Sequence, residues 1–160
     1  MVTTCSTIAQ KFFSDGFVCP ITVMSESKAN DYRKQLEEAE QRYGTCDEFV
    51  QGLRRYPNLL LPFVDEITRN AEITDVIAEI LGPNLLVLDA PFFIKEPKSP
   101  SFVSWHQDLH YWGLETEDEV TAWVALSSAK KESGCMRFLA GSHNQRVNHR
   151  DTFDTDNLLT

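Results

Sequence analysis

The segment Val103-Ser104-Trp105-His106-Gln107-Asp108-Leu109-His110-Tyr111-Trp112-Gly113-Leu114 concentrates two histidines, an acid, a glutamine and three aromatic rings in a short span. In an extended strand successive side chains alternate faces, so His106 and Asp108 share one face and Gln107 takes the other. Two residues of strand rise hold the imidazole and the carboxylate about 7 Å apart at their Cα atoms, close enough to converge on one metal ion. That is two-thirds of the 2-His-1-carboxylate face that binds non-heme Fe(II) and leaves positions open. With four His and eleven Asp in 160 residues, a His-x-Asp tripeptide arises by composition in about one such chain in four, so the motif alone is a weak signal. The plain alternative is a half-buried His donating its ring N–H to a carboxylate. A zinc-protease helix built on His106 and His110 is disfavoured, because Gln107 stands where that chemistry needs a glutamate base and the flanking Trp105, Tyr111 and Trp112 favour strand.

Outward from this segment the pattern is helices first and strands afterwards, an α+β order. Residues 1–83 read as mainly helical. A short helix is expected over Ile8 to Phe13, then a turn at Gly16 into a first strand ending near Ile21. Ser25 opens the clearest helix, whose apolar stripe of Ala29, Tyr32, Leu36, Ala39 and Tyr43 runs to a stop at Gly44, with Glu37, Glu38 and Glu40 as a solvated face. A second helix from Pro57 is expected to bury Leu60, Phe63, Val64 and Ile67. A third buries Ile73, Val76, Ile77 and Ile80 before Gly82-Pro83. Residues 84–143 carry the strand signals: Leu85 to Lys95, Phe102 to Gln107, Glu119 to Ser127 and Cys135 to Leu139. Residues 144–160 are polar and read as a surface excursion. The whole is expected to form one domain over 1–160.

Four blocks lift the His-x-Asp motif above its composition: Phe92 to Pro97, Ser104 to Gly113, Val120 to Leu126, and Ser133 to His143. In this order they resemble the phytanoyl-CoA dioxygenase family of Fe(II)- and 2-oxoglutarate-dependent oxygenases, particularly its bacterial members, over about Phe12 to the C-terminus. The resemblance implies helices buttressing a double-stranded β-helix (a cupin-like jelly roll) with only about half of the barrel present, because a jelly roll closes from eight strands. It implies His106 and Asp108 as iron ligands, and Gln107, Trp123 and Phe92 near the 2-oxoglutarate cosubstrate; core packing is the competing reading for Trp123 and Phe92. A carboxylate at Asp108, where halogenating relatives carry a small residue, implies hydroxylation of a small organic substrate by O2, with succinate and CO2 as coproducts. His143 matches a turn motif of the family and not its distal ligand. That distal His and the Arg that pairs with 2-oxoglutarate are expected beyond Thr160, so the chain is read as C-terminally truncated and inactive alone. The rival reading is a non-catalytic jelly-roll binding module or inactive fragment that uses its aromatic surface.

Bulk properties narrow the partners. The net charge of −9 and pI near 4.8 disfavour nucleic acid and anionic membranes. The N-terminus lacks a basic region followed by an apolar run, and no apolar stretch is long enough to span a bilayer, so a cytoplasmic protein is expected. Cys5, Cys19, Cys46 and Cys135 form no Cys-x-x-Cys pair and read as reduced thiols. Strand edges without partners would make the chain prone to self-association.

Overall fold

Helix α2, Glu26–Tyr43, organises the first half of the chain, and its ends are chemically marked. Ser25 stays extended and its hydroxyl accepts the Lys28 N–H at 3.2 Å, satisfying an otherwise orphaned first-turn donor. Gly44 closes the helix by donating to the Glu40 carbonyl at 2.8 Å. The stripe expected from spacing is the face that packs: Tyr32 and Leu36 are buried, Ala29 and Ala39 half-buried, and Tyr43 lies exposed at the end. Glu37, Glu38 and Glu40 are exposed, as a solvated face should be. The computed structural model describes residues 7–159; Cys5 and the rest of the extreme N-terminus lie outside it.

The remaining helices are α1 (Thr7–Asp15), α3 (Asp47–Arg55), α4 (Pro57–Leu60), α5 (Pro62–Thr68), α6 (Ala71–Leu81) and the single turn α7 (Leu109–Trp112). The helix expected to run on from Pro57 is two helices. Pro62 has no N–H to donate backward, so it begins a new helix and leaves Leu61 extended between α4 and α5. The break turns Leu61 inward at 8% exposure and Leu60 outward at 44%, a correction to the expected core. Helix α3 had not been expected. The third expected helix is α6, capped by Asn70, whose side chain accepts from Glu72 N–H at 2.9 Å and also donates to the Val23 carbonyl at 2.9 Å. It packs against α1 and buries Ile73.

The core lies between α2 and the α4–α5 pair. Tyr32 stacks on Phe63 with ring centroids 5.4 Å apart, and Leu36, Leu61 and Val64 complete the buried cluster. Ala90, Phe92 and Leu126 from the second half dock on its edge, with Phe92 6.1 Å from Phe63.

The second half departs from expectation. The four segments read as strands form no ladder among the described residues, and the chain bends at Trp105 and over Leu126–Ser127; the pairing that exists is one isolated parallel bridge between Phe102 and Asn157. A strand is stabilised by backbone bonds to its neighbours, and in a jelly roll those neighbours are distant in sequence. The apolar side chains of the four segments stay outside: Leu86 is 90% exposed, and Leu88, Phe93, Ile94 and Leu139 are exposed too. The jelly roll is therefore not assembled by these residues. Among the described residues no helix is long and apolar enough to cross a membrane.

Candidate metal centre

The His106–Asp108 pair is built by a change of backbone, not by strand parity. The chain bends at Trp105, and Asp108 then lies in the right-handed helical region (φ −56°, ψ −46°) to open α7. His110 N–H and Tyr111 N–H donate to the Gln107 and Asp108 carbonyls, at 3.2 and 2.9 Å. This corrects the strand parity by which His106 and Asp108 were expected to share a face: the turn begins at Asp108, just past the strand expected to end at Gln107, and folds the carboxylate back toward the preceding ring. His106 Nε2 and Asp108 Oδ1 end 3.0 Å apart.

Each partner is held from its far side. His106 Nδ1 lies 2.8 Å from the Ser104 carbonyl and Nε2 3.0 Å from Asp108 Oδ1; both neighbours only accept, so the charged ring donates to each, and once Nε2 exchanges its proton for a metal Nδ1–H still has its acceptor. The Thr121 hydroxyl donates to Asp108 Oδ2 at 2.7 Å, leaving Oδ1 for the shared space. Hydrogen bonding to Asp108 raises the His106 pKa above the ordinary imidazole value. The same bond to His106, with help from Thr121, lowers that of Asp108 against the opposing effect of burial. Glu119 is raised by burial and then by the charge of Asp108, and its Oε2 is buried without a hydrogen-bond partner.

These donors fit a divalent metal ion. A ring nitrogen with its other nitrogen committed to a carbonyl is the usual form of a metal-binding histidine. Two donors each about 2.1 Å from an ion and 3.0 Å apart subtend about 90° at it, the angle between neighbouring ligands of an octahedron. Among the described residues no group of three His, Cys, Asp or Glu side chains gathers around one point. The other histidines are placed elsewhere. His143 Nε2 lies 3.1 Å from the Phe13 carbonyl at the end of α1. His149 uses both nitrogens, Nδ1 toward the Val147 carbonyl at 2.9 Å and Nε2 as acceptor from Gln107 N–H at 2.8 Å. His110 stacks on His149 with centroids 4.1 Å apart.

Of the three residues expected near the cosubstrate, the structure brings one side chain to the motif's supporting turn and sends another to the core. The Gln107 amide donates to the Ser142 and Gln145 carbonyls at 3.1 and 2.9 Å and accepts from Val147 N–H at 3.0 Å, so it ties the Gly141-Ser142-His143 turn beneath the motif. Phe92 is half-buried against Phe63. Trp123 is 44% exposed. Gly141 N–H and His143 join the same turn to the Asp15 and Phe13 carbonyls of α1. Gly16, at φ +83°, sits under the His143 ring with no room for a side chain.

Sequence reasoning missed Asn157. The polar tail expected to be a surface excursion is mostly exposed through residue 156, but Asn157 returns to 4% exposure and clasps Ser104. No feature of a polar stretch singles out this amide.

A surface cleft of about 580 Å³ lies between α2 and α5 and includes none of the motif residues; its charged rim is paired, Lys28 with Glu66 and Arg69 with Asp65, both at 2.9 Å.

A family profile described as Phytanoyl-CoA dioxygenase (PhyH) matches residues 12–158. The chain is 31% identical over 107 residues to a probable alpha-ketoglutarate-dependent hypophosphite dioxygenase of Stutzerimonas stutzeri, covering 65% of this chain and 37% of that protein. It is 30% identical over 120 residues to the peroxisomal phytanoyl-CoA dioxygenase of Mus musculus, covering 71% and 34%. With the Homo sapiens protein of the same name it shares 30% over 84 residues, covering 50% and 25%. The chain thus spans about a third of the length of the curated relatives it matches. No solved structure matches it.

Proposed function

Because the chain belongs to the phytanoyl-CoA dioxygenase family, we propose that His106 and Asp108 supply two protein ligands of a non-heme Fe(II) centre that uses 2-oxoglutarate and O2 to hydroxylate a small organic substrate, with succinate and CO2 as coproducts. The observation that carries this reading is the 3.0 Å approach of His106 Nε2 to Asp108 Oδ1, with the opposite ring nitrogen committed to Ser104. Iron, when bound, supplies the activation of O2 that an unactivated C–H bond requires. The protein's share is to present a lone pair and a carboxylate oxygen in fixed relation. Ser104 fixes the tautomer, and Thr121 holds Asp108 so that one oxygen is offered rather than two. A carboxylate at this position favours hydroxylation over halogenation.

Trp123 is the side chain we assign to the cosubstrate pocket, since it remains accessible. Gln107 serves the same site by fixing the turn beneath it, and Phe92 by anchoring its segment to Phe63. The four segments read as strands belong to a jelly roll of the family's kind. The exposed side chains of Leu86, Leu88, Phe93 and Ile94 favour self-association.

The test is anaerobic Fe(II) titration of the chain by calorimetry. One ion should bind, and His106→Ala and Asp108→Ala should each abolish binding while far-UV circular dichroism is unchanged. Equal Fe(II) affinity in Asp108→Ala and the parent would overturn the assignment.

A further inference from the structure

Among the described residues Asn157 is the one polar side chain that is buried, and all of its hydrogen-bonding reaches toward the segment that carries the metal motif or closes its own turn. Its Oδ1 accepts from Ser104 N–H and from Leu159 N–H, each at 3.3 Å, while Nδ2 donates to Ser104 Oγ at 3.1 Å. The flanking backbone adds two bonds to Phe102, its N–H to the Asp156 carbonyl and its carbonyl from Leu158 N–H, both at 2.9 Å. Ser104 is thereby gripped through its amide and its hydroxyl. Its third polar group, the carbonyl, is the acceptor that sets His106.

We propose that Asn157 is a positioning residue for the metal ligand His106, acting through Ser104; the proposal rests on the metal reading given above. A residue held at both its N–H and its side chain has its Cα fixed in orientation, which leaves its carbonyl only the rotation about ψ, so the Nδ1–H of His106 finds its acceptor close to its working direction. Loss of the Asn157 amide frees Ser104, and with it the direction of the carbonyl. The His106 ring then loses the acceptor that holds Nδ1–H while Nε2 is given to a metal. Burial adds to the effect, because an amide removed from water leaves the Ser104 N–H without a partner rather than returning it to solvent.

The experiment is Co(II) binding to the 160-residue chain by calorimetry, with the ring ¹⁵N shifts of His106 followed without metal up the pH scale to the plateau of the neutral imidazole. Asn157→Ala should weaken binding by about tenfold or more and move the plateau shifts away from Nδ1–H relative to the parent. Asn157→Asp keeps the accepting oxygen and lets the Ser104 hydroxyl donate in place of the amide, so it should stay within about threefold of the parent, with parent-like ring shifts. A loss of packing alone would not move the tautomer. Equal Co(II) affinity and unchanged shifts in Asn157→Ala would overturn the proposal while leaving the metal reading intact. If the parent bound no Co(II), or His106→Ala bound it equally well, the metal reading would fall, and unchanged ring shifts in Asn157→Ala would then overturn the positioning role on their own. Should Asn157→Ala not fold, Ser104→Ala decides: it removes the bond to Nδ2 alone and should weaken binding about threefold, and unchanged affinity would overturn the proposal.

Discussion

The imidazole of His149 accepts the backbone N–H of Gln107 at 2.8 Å, so the last histidine of the chain is fastened to the residue between the two proposed ligands. Both its nitrogens are in use, and its face lies against His110. His149 therefore supports the motif from outside. His149→Ala should destabilise the fold by about 1–3 kcal/mol, the cost of an unpaired part-buried amide, and leave the metal stoichiometry at one. Thermal melting and Fe(II) titration of the variant check both halves; a variant that melts like the parent but binds no metal would make His149 a ligand.

Two adjacent leucines test the break at Pro62. Leu61→Ala should cost about 2–5 kcal/mol because it empties a buried position beside Phe63 and Val64, whereas Leu60→Ala should cost about 0.5 kcal/mol or less. Urea unfolding of the two variants measures the contrast. A single unbroken helix from Pro57 would reverse it.

The charge states of the pair predict a window of pH. His106 is raised in the folded chain, so its contribution is complete below the ordinary imidazole range and fades as pH climbs through the raised value. Asp108 is lowered, so its contribution is complete above the ordinary carboxylate range and fades as pH drops through the lowered value. In chelator-treated protein the stability difference between parent and Asp108→Asn should be largest at about pH 5 and shrink on both sides. Metal affinity should move the other way above that point, rising with pH as the proton leaves Nε2. A difference independent of pH between about 4 and 8 would contradict the ion pair.

The unpaired extended segments predict concentration-dependent association. Sedimentation velocity of the chain should show species above the monomer, and Leu86→Lys combined with Phe93→Lys should shift the distribution toward monomer without changing helical content. An unchanged distribution would place the contact elsewhere.

What the sequence disclosed was the local part of this structure. Ser25 and Gly44 bracket α2 because capping depends on residues three or four apart, and Tyr32 and Leu36 are buried because a stripe at helical spacing has one inward face. His106 and Asp108 were legible as a pair for the same reason, although the turn at Asp108 that joins them was not. Helix α3 was hidden by a Cys46 cap whose side chain accepts no backbone N–H and by Gly52 in its interior, even with Phe49 and Leu53 at helical spacing. The strands illustrate the opposite failure: apolar runs such as Leu85–Ile94 declare an extended backbone, but pairing depends on partners that no local pattern names. Gln107, His149 and Asn157 were illegible as supports because their partners lie 35 to 53 residues away.

That separation sets an order of events. Ser104 is bound by an amide 53 positions further along, so the geometry at His106 cannot be set while the chain is shorter than that. On the ribosome the helical half can condense first, since all of it precedes residue 82, and the loop to Asn157 closes last at an entropic cost that grows with its length. A nascent chain halted at residue 150 would already carry both His106 and Asp108, and still lack the clasp that holds Ser104.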